Sequence, residues 1–143
     1  MTVAWILKDK GRSVCSVLPT TSVNEAVTLL AKNRIGAVVV ADEQYRVLGI
    51  ISERDIVRIL ATQGAVALDE PVGEHMTRPV TTCAEHHSID WLMSEMTSRR
   101  FRHMPVTDQG RLAGIVSIGD VVKFKLALAE SEAAQMRQYF TAG

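Results

Sequence analysis

Cysteine is scarce in this chain of 143 residues: there are two, Cys15 and Cys83. Two widely separated thiols cannot make a disulfide framework or a zinc site, so both are expected as small buried residues. Charge of one sign is not in excess, because sixteen Lys and Arg balance sixteen Asp and Glu. No global field therefore draws the chain to nucleic acid or to an anionic membrane. Apolar runs are all too short to span a bilayer, and the start Met-Thr-Val-Ala-Trp-Ile-Leu-Lys lacks a basic region followed by a long apolar one. These absences predict a cytoplasmic protein with neither a membrane nor a nucleic-acid partner. A Walker phosphate loop and a Rossmann glycine fingerprint are also missing.

What is present is an ordinary globular composition, 47% hydrophobic and 22% charged, in one domain-sized unit. Its most informative feature is a repeat. Gly49-Ile-Ile-Ser-Glu-Arg-Asp-Ile-Val57 returns as Gly114-Ile-Val-Ser-Ile-Gly-Asp-Val-Val122. In each copy a short apolar strand runs into a helix, with a serine at the junction and an aspartate three residues later. The first-turn amides carry partial positive charge and the serine adds a donor, so the corner can hold a phosphate. The aspartate can accept both hydroxyls of a ribose. Ser-x-x-Asp is equally a plain helix start, with the serine capping and the acid favouring the positive end.

Taken in order, Met1 to Gly11 reads as a short amphipathic lead-in and Ser13 to Leu18 as a strand ending at Pro19. Ser22-Val-Asn-Glu25 is a capping box opening a helix with Val23, Ala26, Val27 and Leu30 on one face. Strands follow at Ile35 to Val40 and Val47 to Ile51, then a helix with Ile56, Val57, Ile59 and Leu60, ending near Gly64. The breakers Pro71, Gly73 and Pro79 mark a connection, within which Val72 to Met76 can form a turn of helix. The same order then recurs: a strand at Val80 to Cys83, a helix from Ser88 with Ile89, Leu92, Met93 and Met96 inward, strands at Met104 to Thr107 and Leu112 to Val116, and a last helix from Asp120. The expected fold is therefore α/β (α+β), two β-α-β-β-α repeats related by a pseudo-two-fold axis. The boundaries are 13–64 for the first repeat, 65–76 for the linker, 77–126 for the second and 127–143 for a C-terminal helical extension. Along that extension Val122, Leu126, Ala129, Ala133, Met136 and Phe140 form a heptad-like seam, expected to dock on a second chain; the alternative is a seam folded back on its own domain.

Two Gly-h-h-Ser-x-x-Asp copies (h apolar), with the entry strand Phe101-Arg-His-Met-Pro-Val106 and the entry Met-Thr-x-x-Val at Met76 to Val80, resemble a tandem pair of cystathionine β-synthase (CBS) domains. The resemblance covers residues 13 to 126. It implies a Bateman module that binds adenine nucleotides (AMP, ADP, ATP, NAD or NADH, with S-adenosylmethionine ranked behind them) in clefts between the repeats, forms a homodimer and regulates an unknown protein. Carried over residue by residue, it gives one cleft Asp55 for the ribose and Ser52 and Arg54 for phosphate, faced by Thr77, Thr82, Phe101, Arg102 and His103. The other has Asp120 for the ribose and Ser117 for phosphate, faced by Ser16, Ile35, Gly36 and Ala37. Arg54, Arg102 and His103 make the first cleft basic and suited to a mononucleotide. Gly36, Ala37 and Gly119 leave the second open and nearly neutral, suited to a larger nucleotide such as NAD or NADH.

Other readings compete at particular residues. Arg99-Arg-Phe-Arg-His103 could bind and stack a nucleic acid, or could be a basic helix end leading into a core strand. A cysteine hydrolase needs a thiol beside a histidine, which the predicted strand positions of Cys15 and Cys83 do not offer. His86 and His87 are adjacent and do not point at one metal, so no metal site and no turnover are expected. The rival of another class is a dimeric interaction scaffold with the same fold.

Overall fold

The computed structural model describes residues 1–142. Helix α1 (Val3–Lys10) leads into strand β1 (Ser16–Val17), helix α2 (Val23–Asn33), strands β2 (Ala37–Ala41) and β3 (Val47–Ser52), and helix α3 (Glu53–Gln63). Two short 3₁₀ turns, Ala65–Asp69 and Val72–Glu74, connect to α4 (Ile89–Arg99), β4 (His103–Asp108), β5 (Arg111–Ser117) and α5 (Ile118–Ala142). The repeat read from the sequence is thus a repeat of structure. Ser22 caps α2 by accepting from the Glu25 amide at 3.1 Å, and Ser88 caps α4 by accepting from the Trp91 amide at 3.0 Å. Both helices end on a left-handed arginine, Arg34 (φ 53°) and Arg100 (φ 60°). Even the irregularities match: β2 shifts register against β3 between Val40 and Ala41, and β4 against β5 between Val106 and Thr107.

One difference between the copies traces to a single residue. β1 runs parallel to β2, with the Val39 amide donating to the Cys15 carbonyl at 3.2 Å. The strand expected at Val80 to Cys83 shrinks to one bridge, Cys83 with Val106. Pro105 occupies the position of Val39, so the N–H that would extend the ladder toward Thr81 does not exist. Only the bonds on either side remain, from the Cys83 amide to the Pro105 carbonyl and from the Thr107 amide to the Cys83 carbonyl.

Each repeat is closed by the segment that precedes the other. Val3, Ile6 and Leu7 of α1 are buried with Leu92, Met96, Met104, Val116 and Val121 of the second repeat. Ala67 and Val72, in the stretch expected to be a linker, are buried with Val23, Leu30, Ile51 and Ile56 of the first. The equivalence is close. The Val23 amide donates to the Glu70 carbonyl and the Ile89 amide to the Met1 carbonyl, at 2.9 and 3.0 Å. Gly49 and Gly114 leave room for this exchange: a Cβ on Gly114 would lie 2.9 Å from Leu7, and one on Gly49 would overlap Met76. The lead-in and the linker are therefore core elements, which their amphipathic or breaker-rich sequences do not announce.

Some apolar residues of the predicted helices face outward, Met93 among them in place of its expected inward position. Val57 and Leu60 of α3 are 67% and 39% exposed, and Met93 of α4 is 39% exposed, because only the Ile56–Ile59 and Leu92–Met96 stripes meet the sheets. The α5 seam does not fold back on its own domain: Leu126, Met136 and Phe140 are 59%, 57% and 72% exposed. No helix among the described residues is long and apolar enough to cross a membrane.

Candidate functional site

The duplicated corner has the same geometry twice. At the first, the Ser52 amide donates to Asp55 Oδ2 at 2.8 Å while the Asp55 amide donates to Ser52 Oγ at 3.2 Å. At the second, the Ser117 amide donates to Asp120 Oδ2 at 2.9 Å and the Asp120 amide to Ser117 Oγ at 3.2 Å. Each is a reciprocal cap. The capping role is therefore real at both corners, and any ligand role is added to it. A cavity lies beside each corner, and both fall in the range of about 300–1,000 Å³ in which small-molecule sites occur.

The first cavity, 370 Å³, is lined by Ser52, Arg54, Asp55, Thr77, Phe101, Arg102 and His103 among the residues expected there. Asp55 is buried, with its carboxylate already paired: Oδ2 accepts from Ser52, and Oδ1 accepts from Arg58 Nη2 at 2.8 Å and Thr77 Oγ1 at 3.1 Å. Arg58, Arg99 and Arg100 join Arg54 and Arg102, so five arginines and two acids, Glu53 and Asp55, line the cavity, although the Arg99 guanidinium is paired with Glu95 at 2.9 Å. The Arg99–His103 stretch, which suggested nucleic acid, is a cleft wall. Arg54 Nη1 also donates to the Arg100 carbonyl at 3.3 Å, tying α3 to the end of α4.

The second cavity, 660 Å³, takes in Ile35, Gly36, Ala37 and Ser117 as expected. It is not neutral. Lys10 and Arg34 both line it, and Lys10 Nζ sits 2.7 Å from Asp120 Oδ2 while donating to the Ile115 carbonyl at 3.0 Å. Lys10 arrives on α1, the lead-in to which no site role was assigned, so its distance in sequence hid it. Arg34 had a signal: it is the repeat partner of Arg100. Asp120 itself faces a neighbouring groove of 600 Å³ between α1 and α5. Burial alone would raise its pKa, but the hydrogen bonds from Lys10 and Ser117 and the Lys10 charge bring it below the ordinary carboxylate value.

Ser16 and Thr82 line neither cavity. The parallel register explains this, since Ser16 pairs with Val39, three residues beyond Gly36, and residues 13–15 reach the opening instead. Thr82 stands at the corresponding depth beside Pro105. Gly36 and His103 line both cavities and form the wall between them. That wall is tight, because a Cβ on Gly36 would lie 2.9 Å from His103 Nε2. Burial is the main reason that the His103 pKa lies below its ordinary value, with Lys10 and Arg102 adding to the effect and Glu53 and Asp120 opposing it.

Burial pushes the Cys83 thiol up to about 12 and raises Cys15 as well, the opposite of what a thiolate nucleophile needs. Away from the clefts, Glu70, Glu74 and His75 place three ligand atoms within 4.8 Å of one another. A 2.7 Å His75–Glu70 hydrogen bond accounts for two of the three.

The family model for the CBS domain matches residues 11–62 and 72–127. The CBS-domain containing protein ATU1752 of Agrobacterium tumefaciens is 49% identical with a TM-score of 0.84, over 87% of this chain and 99% of that one. PAE2072 of Pyrobaculum aerophilum, complexed with AMP, is 29% identical with a TM-score of 0.75, over 84% and 89%. The CBS domain pair of MJ0100, in complex with 5′-methylthioadenosine and S-adenosyl-L-methionine, is 27% identical with a TM-score of 0.80, over 89% and 97%. The chain spans 64% of the length of an uncharacterised Acidianus ambivalens protein to which it is 36% identical over 75% of its own length. With two matched repeats, one on each side of the pseudo-two-fold axis, the chain belongs to the CBS domain family as a tandem pair.

Proposed function

We propose that this chain is a non-catalytic, cytoplasmic sensor that binds adenine nucleotides in its two clefts and acts as a homodimer on a protein partner. The observation that carries this is the Ser-x-x-Asp corner, repeated to within 0.1 Å in its hydrogen bonds, each time beside a cavity walled by cations. The complexes of PAE2072 with AMP and of the MJ0100 pair with two adenosine derivatives support the ligand class.

In the first cleft a ribose takes the place of Arg58 on Asp55, and the guanidinium, exposed over 59% of its side chain, turns with Arg54 and Arg102 toward the phosphate. Five arginines favour AMP, ADP or ATP over a sulfonium ligand, which ranks S-adenosylmethionine behind them. The second cleft, larger and with fewer cations, takes an adenine nucleotide with a bulkier appendage such as NAD or NADH. Asp120 lies on the adjoining groove behind Lys10, which lines both spaces, so the ribose reaches its carboxylate by displacing the Lys10 ion pair.

A thermal-shift series with AMP, ATP, NAD, NADH and S-adenosylmethionine tests the reading. A ligand at a hundred times its Kd adds about 2.7 kcal/mol to stability. No shift with any of the five would instead support the scaffold reading.

A further inference from the structure

Helix α5 outlasts the body that it packs on. It runs 25 residues, about 37 Å, and from Ala129 to Thr141 every residue is exposed except the half-buried Ala134. The seam of Val122, Leu126, Ala129, Ala133, Met136 and Phe140 keeps alternating spacings of four and three along this length. That spacing assigns Lys123, Glu130 and Arg137 to one flank of the seam and Lys125, Glu132 and Tyr139 to the other.

We propose that residues 122–140 of α5 pair in parallel and in register with the same segment of a second copy. The flanking charges decide the direction. In a parallel pair each residue of the second flank faces the first-flank residue five positions further along the other helix. Lys125 then meets the second copy's Glu130, and Glu132 meets the second copy's Arg137, with no like charges opposed. An antiparallel pair stacking the same seam sets Glu130 against Glu130, Glu132 against Glu132 and Lys123 against Arg137. Every charged pairing there except one with Tyr139 is repulsive. Lys125 is also bonded to Asp90 of α4 in its own chain and must be shared, but Glu132 and Arg137 have no ion-pair partner among the described residues. Alanine at the two central layers lets the helices approach closely.

The inference rests on the homodimer proposed above and not on nucleotide binding. It is tested in the full chain with Cys15 changed to Ser, Cys83 being buried. Ala129→Cys and Ala133→Cys are prepared separately and oxidised. Parallel, in-register helices place each residue opposite itself at a separation that a disulfide spans, so each variant links to its own copy. A link that forms only when the two variants are mixed, or no link at all, overturns the pairing. Light scattering separates the two failures: a dimer without self-linking rejects this pairing alone, whereas a monomer rejects the homodimer too. In the same assay Glu132→Arg weakens the dimer about tenfold, and adding Arg137→Glu restores it. A double variant as weak as the single one also overturns the pairing.

Discussion

Four residues at the centre of the molecule carry charges or clearances that pH and substitution can read. His103 lies in the wall between the cavities, with its pKa below the ordinary value. The unfolded chain therefore binds a proton first as pH falls past about 6.5, and stability drops from there until the folded pKa is passed. His103→Gln should flatten this loss in melting curves between pH 8 and pH 5. A phosphate beside the ring raises its pKa again, so nucleotide binding should strengthen as pH falls from 8 to 6, and the same variant should remove that trend. Asp120 behaves oppositely. Its lowered pKa contributes stability above the ordinary carboxylate value and loses it as pH falls through the folded value. Lys10→Met should cost roughly 1 kcal/mol at neutral pH and less near pH 3, measured by denaturant titration. Gly36→Ala has no room beside His103 and should weaken ligands of both clefts rather than one.

Among the elements, the contrast between α1 and the strand before α4 shows what sequence patterns can and cannot carry. The helices opened by Ser22 and Ser88 were legible because a cap is local: the serine and the amide that it accepts from are three residues apart. The fate of Val80 to Cys83 was not, since the missing bond belongs to Pro105 on a neighbouring strand. The stretch that forms α1 was legible as an amphipathic lead-in but not as a core element, because its partner, the bare backbone at Gly114, is more than a hundred residues away. Its weight should show on truncation. Leu7→Ala, at a fully buried site, should cost about 2–5 kcal/mol, while Trp5→Ala, at a site 58% exposed, should cost far less, both read from denaturant midpoints. Because α1 also delivers Lys10, the Leu7 variant should weaken ligands of the second cleft more than those of the first.

At the scale of the whole molecule, the exchange of preceding segments packs each repeat against the other's lead-in, and the two cavities meet at a common wall. The duplicated corner was legible because it recurs as a string. The electrostatics of the second cavity was not, because Lys10 and Arg34 come from a helix and a helix end that the motif does not include. On the proposed function the two corners are sugar seats as well as caps. Isothermal titration of the intact chain, Asp55→Ala and Asp120→Ala with AMP and with NADH, each protein first shown by circular dichroism to be folded, decides it. The account predicts two filled clefts in the intact chain, with AMP affinity lost mainly in Asp55→Ala and NADH affinity mainly in Asp120→Ala. Binding left unchanged by both substitutions would contradict it.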